Sequence, residues 1–218
     1  MYNSINTKND VAKEGYILNC ELSGEYDLPK LGSIHAYFDD LRPVPFNKAV
    51  SEKKPRECVC HFFIEDMAFE RVWNNCDKYL DILQNFKYVC SPDFSFYSDM
   101  PKAMQIWQTY RSRALGYYLS ANGISVIPTV DWGFEDSFEW CFDGLPQNST
   151  LAVSTNGCFS RIGKECYRRG FEEMCRRLNP YNVLVVGREI EVDVDVPIIY
   201  MDSYGQEISK KLGNLHKV

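Results

Sequence analysis

Apolar positions along the chain fall into short unbroken runs, separated by stretches in which they recur at helical spacing. The alternation is clearest from Cys58 onward. Residues 58–64 are apolar throughout except at His61, the pattern of a strand buried on both faces. Phe69, Val72, Trp73, Cys76, Leu80 and Leu83 then recur every three or four positions and predict a helix over 67–84. A second strand is expected at 86–90. A helix follows over 102–121, opened by Pro101 and closed by Asn122-Gly123. Beyond it come a strand at 124–130, a short helix near 135–141 and a strand at 150–154. A helix over 161–178 is stopped by Asn179-Pro180, and strands at 182–186 and 197–200 complete the series. Before Cys58 the signal is thinner. Residues 33–38 read as a first strand. Residues 42–57, with Pro43, Pro45, Pro55 and Lys53-Lys54, read as a long surface loop. Residues 1–30 carry little periodicity and suit an arm or a short hairpin. The expected organisation is an N-terminal arm over 1–32, one α/β domain over 33–205 and a C-terminal tail over 206–218.

Strands that are apolar along their whole length and alternate with helices imply a parallel sheet covered on both faces. Two architectures satisfy this: a barrel-like or partial TIM-type barrel, and an open doubly wound sheet. Polar residues gather after strand upon strand, and no G-x-G-x-x-G opens a helix, which favours the barrel-like form.

Composition narrows the class without naming a function. With 218 residues, 45% hydrophobic and 25% charged, the chain has an ordinary globular balance. Thirty acidic residues against 24 basic ones give a formal charge of -6, so a basic coat for nucleic acid is excluded while a local basic face is not. No apolar run of membrane-spanning length occurs, and the polar start Met1-Tyr2-Asn3-Ser4 has no signal-peptide core. A cytoplasmic protein is expected, with no membrane partner. The nine cysteines are odd in number and scattered, which suits reduced, packed thiols; Cys58-Val59-Cys60-His61 lacks the second pair of a zinc site.

In parallel α/β folds the functional face lies at the carboxyl ends of the strands. Those ends carry Glu65 and Asp66; Ser91-Pro92-Asp93-Phe94-Ser95-Phe96-Tyr97; Thr129, Asp131 and Trp132; Ser154, Thr155 and Asn156; Gly187-Arg188-Glu189; and Asp202. Asp93 and Asp131 end neighbouring strands and are the candidate catalytic pair. They would serve as general acid and base, as nucleophile and acid in glycosidic cleavage, or as metal ligands together with Asp66 or Asp202. A divalent metal is the cofactor that such a cluster would take. Ser91, Ser95, Tyr97, Arg111, Arg113, Thr129, Trp132, Ser154 and Thr155 are the candidate substrate-binding residues.

Arg111 falls inside the apparent apolar stripe of the 102–121 helix, formed by Met104, Trp107, Ala114, Leu115 and Tyr118. A guanidinium buried there must find a carboxylate, and Asp93 or Asp99 is the expected partner. The pair would be a latch on the loop, or a cation held for an anionic ligand. Other patterns are weaker. Ser154-Thr155-Asn156-Gly157 precedes a helix and would suit an anion, but it lacks the lysine of a P-loop. The 161–178 helix carries six Arg and Lys, which suits either a phosphate-tracking face or a solvated outer helix. A serine–histidine triad would have to use His35 or His61, with no G-x-S-x-G elbow.

The strings Ser91-Pro92-Asp93-Phe94-Ser95-Phe96-Tyr97-Ser98-Asp99-Met100-Pro101, Tyr110-Arg111-Ser112-Arg113, Ile127-Pro128-Thr129, Phe142-Asp143-Gly144 and Val153-Ser154-Thr155, preceded by Phe69-Glu70-Arg71-Val72-Trp73, occur in that order. Together they resemble the domain of unknown function 4417 family, found in phages, prophages and plasmids of Firmicutes, over about residues 15–202. The resemblance implies a mobile-element origin and a bacterial cytoplasm. It carries no activity across.

Two functions are therefore expected to compete. One is an enzyme acting on a nucleotide or nucleic-acid component at the strand ends. The other is a non-catalytic protein that binds a host factor or a signalling nucleotide, for which the 14 Tyr, 13 Phe and 4 Trp would supply a recognition surface.

Overall fold

The computed structural model describes residues 10–215, so the polar start of the chain and His216 lie outside it. The first ordered pieces are a 3-10 turn at Glu14–Ile17 and a small antiparallel hairpin, β1 (Leu22–Ser23) with β2 (Leu28–Pro29). Seven parallel strands follow. β3 (Arg42–Pro45), β4 (Cys58–His61), β5 (Tyr88–Cys90) and β6 (Val126–Ile127) pair in that order. β7 (Thr150–Ser154), β8 (Asn182–Val186) and β9 (Ile198–Met201) form a second parallel sheet. A parallel bridge between Thr129 and Ala152 joins the two. Pro128 has no N–H, which ends the ladder of β6 early; its carbonyl instead accepts from Ala152 N at 2.9 Å.

Helices separate the strands: α1 (Phe46–Ala49), α2 (Glu70–Asn74), α3 (Asp77–Leu83), α4 (Lys102–Ala121), α5 (Arg161–Leu178) and, after β9, α6 (Tyr204–Leu215). One face of the first sheet packs on α2, α3 and α4 through Phe62, Phe69, Val72, Leu83, Val89 and Leu115. The same face of the second sheet packs on α5 through Leu151, Val153, Phe171, Met174 and Val185. The opposite face is shared. Val59, Tyr88, Cys90, Ile127, Ala152, Leu184, Val186 and Met201 form one core there, closed by Ala36 and Phe63. Among the described residues no pairing joins β9 back to β3, so the expected barrel closure is not seen and an open parallel arrangement is the plain description.

Several elements depart from the sequence pattern for identifiable reasons. Residues 33–38 are not a strand. Their backbone is held by side chains at the starts of β7 and β8: Ile34 N donates to Ser149 Oγ, Ala36 N to Thr150 Oγ1, and Asn182 Nδ2 to the Ala36 carbonyl. The segment 42–57 is not a plain loop. It holds β3, an edge strand where Pro43 and Pro45 are tolerated, and then α1. The expected helix at 67–84 is broken at Asn75, which is extended, and Tyr16 Oη accepts from the freed Cys76 N–H at 3.0 Å.

The largest departure is in α4. Met104 and Trp107 are 49% and 36% exposed, whereas Gln105, Thr109, Ser112 and Arg113 are buried. The first half of this helix therefore turns a polar face inward, toward the ends of β5 and β6. Only its second half, through Ala114, Leu115 and Leu119, follows the apolar pattern.

Candidate functional site

The loops that leave β5 and β6 carry Asp93 and Asp131, and the fold brings these two carboxyls into a hydrogen bond with each other. Two carboxylates cannot share such a contact, so one proton is held between them. Burial pushes both pKa values up. For Asp93 the charge of Asp131 and its hydrogen bond add to the rise. For Asp131 the hydrogen bond from Asp93 and the nearby Arg113 partly offset it. The pair as a whole therefore holds a proton at a higher pH than a free carboxyl would. Asp93 Oδ1 is sealed from solvent and finds no donor among its neighbours, an arrangement stable only for the protonated acid.

Asp66, at the end of the segment after β4, acts on both through its charge and raises them further. Its Oδ1 accepts from Ser95 N at 2.9 Å and Ser95 Oγ at 2.8 Å, which ties the loop after β5 down over the pair. Among the described residues, no three His, Cys, Asp or Glu side chains are arranged to hold a metal ion. Cys158, at the end of the loop after β7, lies near enough to feel both carboxyls; burial foremost raises its thiol to about 11, so it is protonated at neutral pH. On the α4 side, Phe94, Phe96, Thr109, Ser112, Arg113 and Asp131 enclose a gap of about 10 Å³, into which Ser112 brings a buried hydroxyl with no partner.

The other candidate residues are mostly engaged by the protein itself. Ser91 and Thr129 pin β5 to β6: Thr129 N donates to Ser91 Oγ at 2.8 Å and Thr129 Oγ1 to the Ser91 carbonyl at 2.7 Å. Ser154 Oγ donates to the Val186 carbonyl and Thr155 Oγ1 to that of Arg188. Tyr97 is 60% exposed and points away from the cluster's buried part. Trp132 lies flat against α5, its indole donating to the Cys166 carbonyl; a Cβ on Gly170 would come within 2.1 Å of that ring.

Arg113 is fully buried and works as a staple. Its Nε donates to the Asp143 carbonyl, Nη1 to that of Thr129 and Nη2 to that of Cys141. Burial pulls its pKa down to about 10. One side chain therefore joins the 110–113, 127–129 and 141–144 strings.

Arg111 corrects the expectation from sequence. Its partner is neither Asp93 nor Asp99 but Glu70, which accepts from Nη2 with both oxygens at 2.5 Å. The guanidinium lies 3.7 Å from the centre of the Phe94 ring and 5.0 Å from that of Trp73. Nη1 donates to Gln108 Oε1 at 3.2 Å, while the buried Nε has no partner, so Arg111 joins α4 to α2 and packs on the loop after β5 through Phe94. Glu70 had no distinguishing signal beyond its place in the Phe69–Trp73 string.

The histidines form no triad among the described residues. His35 stacks on Tyr181 at the opposite ends of the strands. His61 accepts from Phe63 N through Nδ1, has no partner at Nε2, and is pushed down to about 3 by burial, so it stays neutral. The basic face expected on α5 is largely neutralised. Arg169 pairs with Glu135 and Glu165, and Arg176 and Arg177 pair with Glu173.

Residues 20–203 match the model of a family described as a domain of unknown function (DUF4417). The chain is 36% identical over 189 residues to the Gene 1 protein of Mycobacterium phage L5, covering 81% of this chain and 78% of that one. It is 38% identical over 160 residues to the Gene 1 protein of Mycobacterium phage D29, covering 68% of this chain and 59% of that one. Both relatives are phage proteins. No solved structure matches the chain.

Proposed function

The chain belongs to the domain of unknown function (DUF4417) family, and from that premise we propose that it is an acid–base enzyme acting on a nucleotide or nucleic-acid component, with Asp93 and Asp131 as the reacting pair. The single observation that carries the reading is the hydrogen bond between these two carboxyls at the ends of adjacent strands. A pair holding one proton presents an acid and a base side by side, the arrangement used where one group must donate while its neighbour accepts. A glycosidic mechanism needs carboxyls about 5 Å or more apart, with sugar between them, so contact between the two argues against that variant. The substrate class rests on the phage setting of the relatives, an association rather than a contact.

The reading treats the seven strands as the wall of a partial barrel. The sequential strand order and a shared core with no helical residue in it support that form. It also places the chemistry in the bacterial cytoplasm, where phage nucleic acid is handled. Among the described residues no helix is long and apolar enough to cross a membrane.

The test is turnover. Purified protein is incubated with nucleosides, nucleotides and short DNA and RNA, with and without Mg²⁺ or Mn²⁺, and products are separated by chromatography. Conversion by wild type that falls at least about 100-fold in Asp93→Asn and Asp131→Asn supports the reading. Conversion that survives both substitutions, or none on any substrate, rejects it. In that case a binding role toward a host factor or signalling nucleotide takes its place.

A further inference from the structure

The loops after β7 and β8 are sewn together at the same strand ends that carry the aspartate pair. Thr155 N donates to the Val186 carbonyl, Thr155 Oγ1 to that of Arg188 at 2.8 Å, and Gly187 N to that of Met201. The close approach depends on Gly187. Its φ of +133° suits glycine, and a Cβ there would lie 2.2 Å from Thr155 Oγ1. This fixes Arg188 at the strand ends. Its guanidinium lies 3.8 Å from the centre of the Phe159 ring, and Lys164 Nζ lies 5.7 Å from the same centre. Two cations thus share one aromatic ring. Cys158 and Phe159 follow β7, and Asp93 and Asp131 follow β5 and β6, so all four lie at the carboxyl ends of the parallel strands.

Lys164 on α5 and Arg188 beyond β8 differ from the paired arginines in the middle and end of α5. Arg169, Arg176 and Arg177 are each bound to a glutamate, and Arg168 Nε donates to the Glu191 carbonyl. Among the described residues, neither Lys164 nor Arg188 has a carboxylate within ion-pair distance, while Glu165 is taken up by Arg169. Like charges held together without a counter-ion repel one another, an arrangement relieved by a bound anion. A guanidinium stacked on a ring keeps its N–H edge free and oriented, and that edge matches the oxygens of a phosphate.

We infer that Lys164 and Arg188, gathered on the Phe159 ring on the strand-end face that carries the Asp93–Asp131 pair, form a subsite for the phosphate of a nucleotide or of a nucleic-acid strand. The inference deepens the acid–base reading and rests on it for the rest of the substrate. Two sources of phosphate fit the same chemistry, a free nucleotide and a backbone phosphodiester.

Binding, separate from turnover, tests the subsite. The full chain is titrated with inorganic phosphate, a nucleoside 5′-monophosphate, the matching nucleoside and a short single-stranded DNA. Wild type, Arg188→Gln and Lys164→Gln are compared. Both cations are on the surface, so melting temperatures within about 2 °C of wild type confirm that both variants fold. The expected result is that phosphate-bearing probes bind and that each cation variant loses about tenfold or more. Mononucleotide binding assigns the subsite to a free nucleotide. Binding of the strand alone, falling about sevenfold between 50 and 200 mM salt for two cations, assigns it to a nucleic acid. Unchanged binding in both cation variants, or no binding of any phosphate-bearing probe, overturns the inference. If phosphate binds but nothing turns over, the acid–base reading fails and the subsite stands. If an unphosphorylated nucleoside is turned over and phosphate does not bind, the reverse holds.

Discussion

Asp93 and Asp131 bring their carboxyls together across the gap between the ends of β5 and β6 and share one proton there. The contact exists because β5 and β6 are paired neighbours, with Val89 opposite Val126, and because Ser91 and Thr129 exchange two hydrogen bonds just beyond the ladder. Below them Arg113 fixes the carbonyl of Thr129. Rigid strand ends, rather than the loops alone, thus set the distance between the carboxyls.

The pair should leave a signature in stability. Folding raises both pKa values above their unfolded values near 4, so the folded state binds protons more tightly. The stabilisation is complete below that pH and is lost as pH rises toward the folded values. Asp93→Asn keeps a donor toward Asp131 and removes the titration. Urea denaturation from pH 4 to 8 should show the wild type losing stability relative to Asp93→Asn as pH rises, with the variant at least as stable at pH 8. A parallel pH dependence in the two proteins contradicts the shared proton.

Arg113→Met should be strongly destabilising. It leaves the carbonyls of Thr129, Cys141 and Asp143 without their donor in a fully buried place. Breaking a buried charged network of this kind costs about 3–5 kcal/mol. A loss below about 1 kcal/mol in urea denaturation would mean that the three strings are held by something else.

Glu70→Gln separates a latch from a ligand-binding arginine. Glu70 is the partner of the buried Arg111, but its own side chain is 41% exposed, so solvent screening moderates the cost to about 1–2 kcal/mol. Ligand binding should be unchanged in this variant. If Arg111 instead held an anion, freeing its fork would strengthen binding of phosphate, and that gain would contradict the latch.

Gly170→Ala tests the packing of Trp132 against α5. The added Cβ would sit 2.1–2.4 Å from three indole atoms, so the ring must move. Overpacking of this sort costs about 1–3 kcal/mol, and tryptophan fluorescence should shift with it. An unchanged spectrum and melting temperature would show that the ring has room to give.

Much of this was legible in the sequence wherever one pattern dominated. The elements 102–121, 150–154, 161–178 and 182–186 have the bounds expected, because Pro101, Asn122-Gly123 and Asn179-Pro180 mark helix ends in chemical terms. The pairing of Asp93 with Asp131 followed from reading strand ends in sequential order. What stayed hidden depends on side chains that replace backbone partners. Ser149, Thr150 and Asn182 hold residues 34–36 without a ladder, and Tyr16 breaks the helix at Asn75. The inward polar face of α4 reads as an outer face to any hydrophobic pattern, because Gln105, Thr109 and Ser112 are buried beside a carboxyl pair rather than a core. Arg111 was placed inside correctly and given the wrong partner, since Glu70 reaches it from a separate helix.

Turnover by the intact protein and by Asp93→Asn, measured on the same nucleotide and nucleic-acid panel across pH 4–9, tests the acid–base pair most directly. The expected result is a wild-type rate that peaks where the pair holds one proton, falls on either side, and drops at least about 100-fold in the variant. A rate that is independent of pH over this range, or that Asp93→Asn retains, would contradict an acid–base role for the pair.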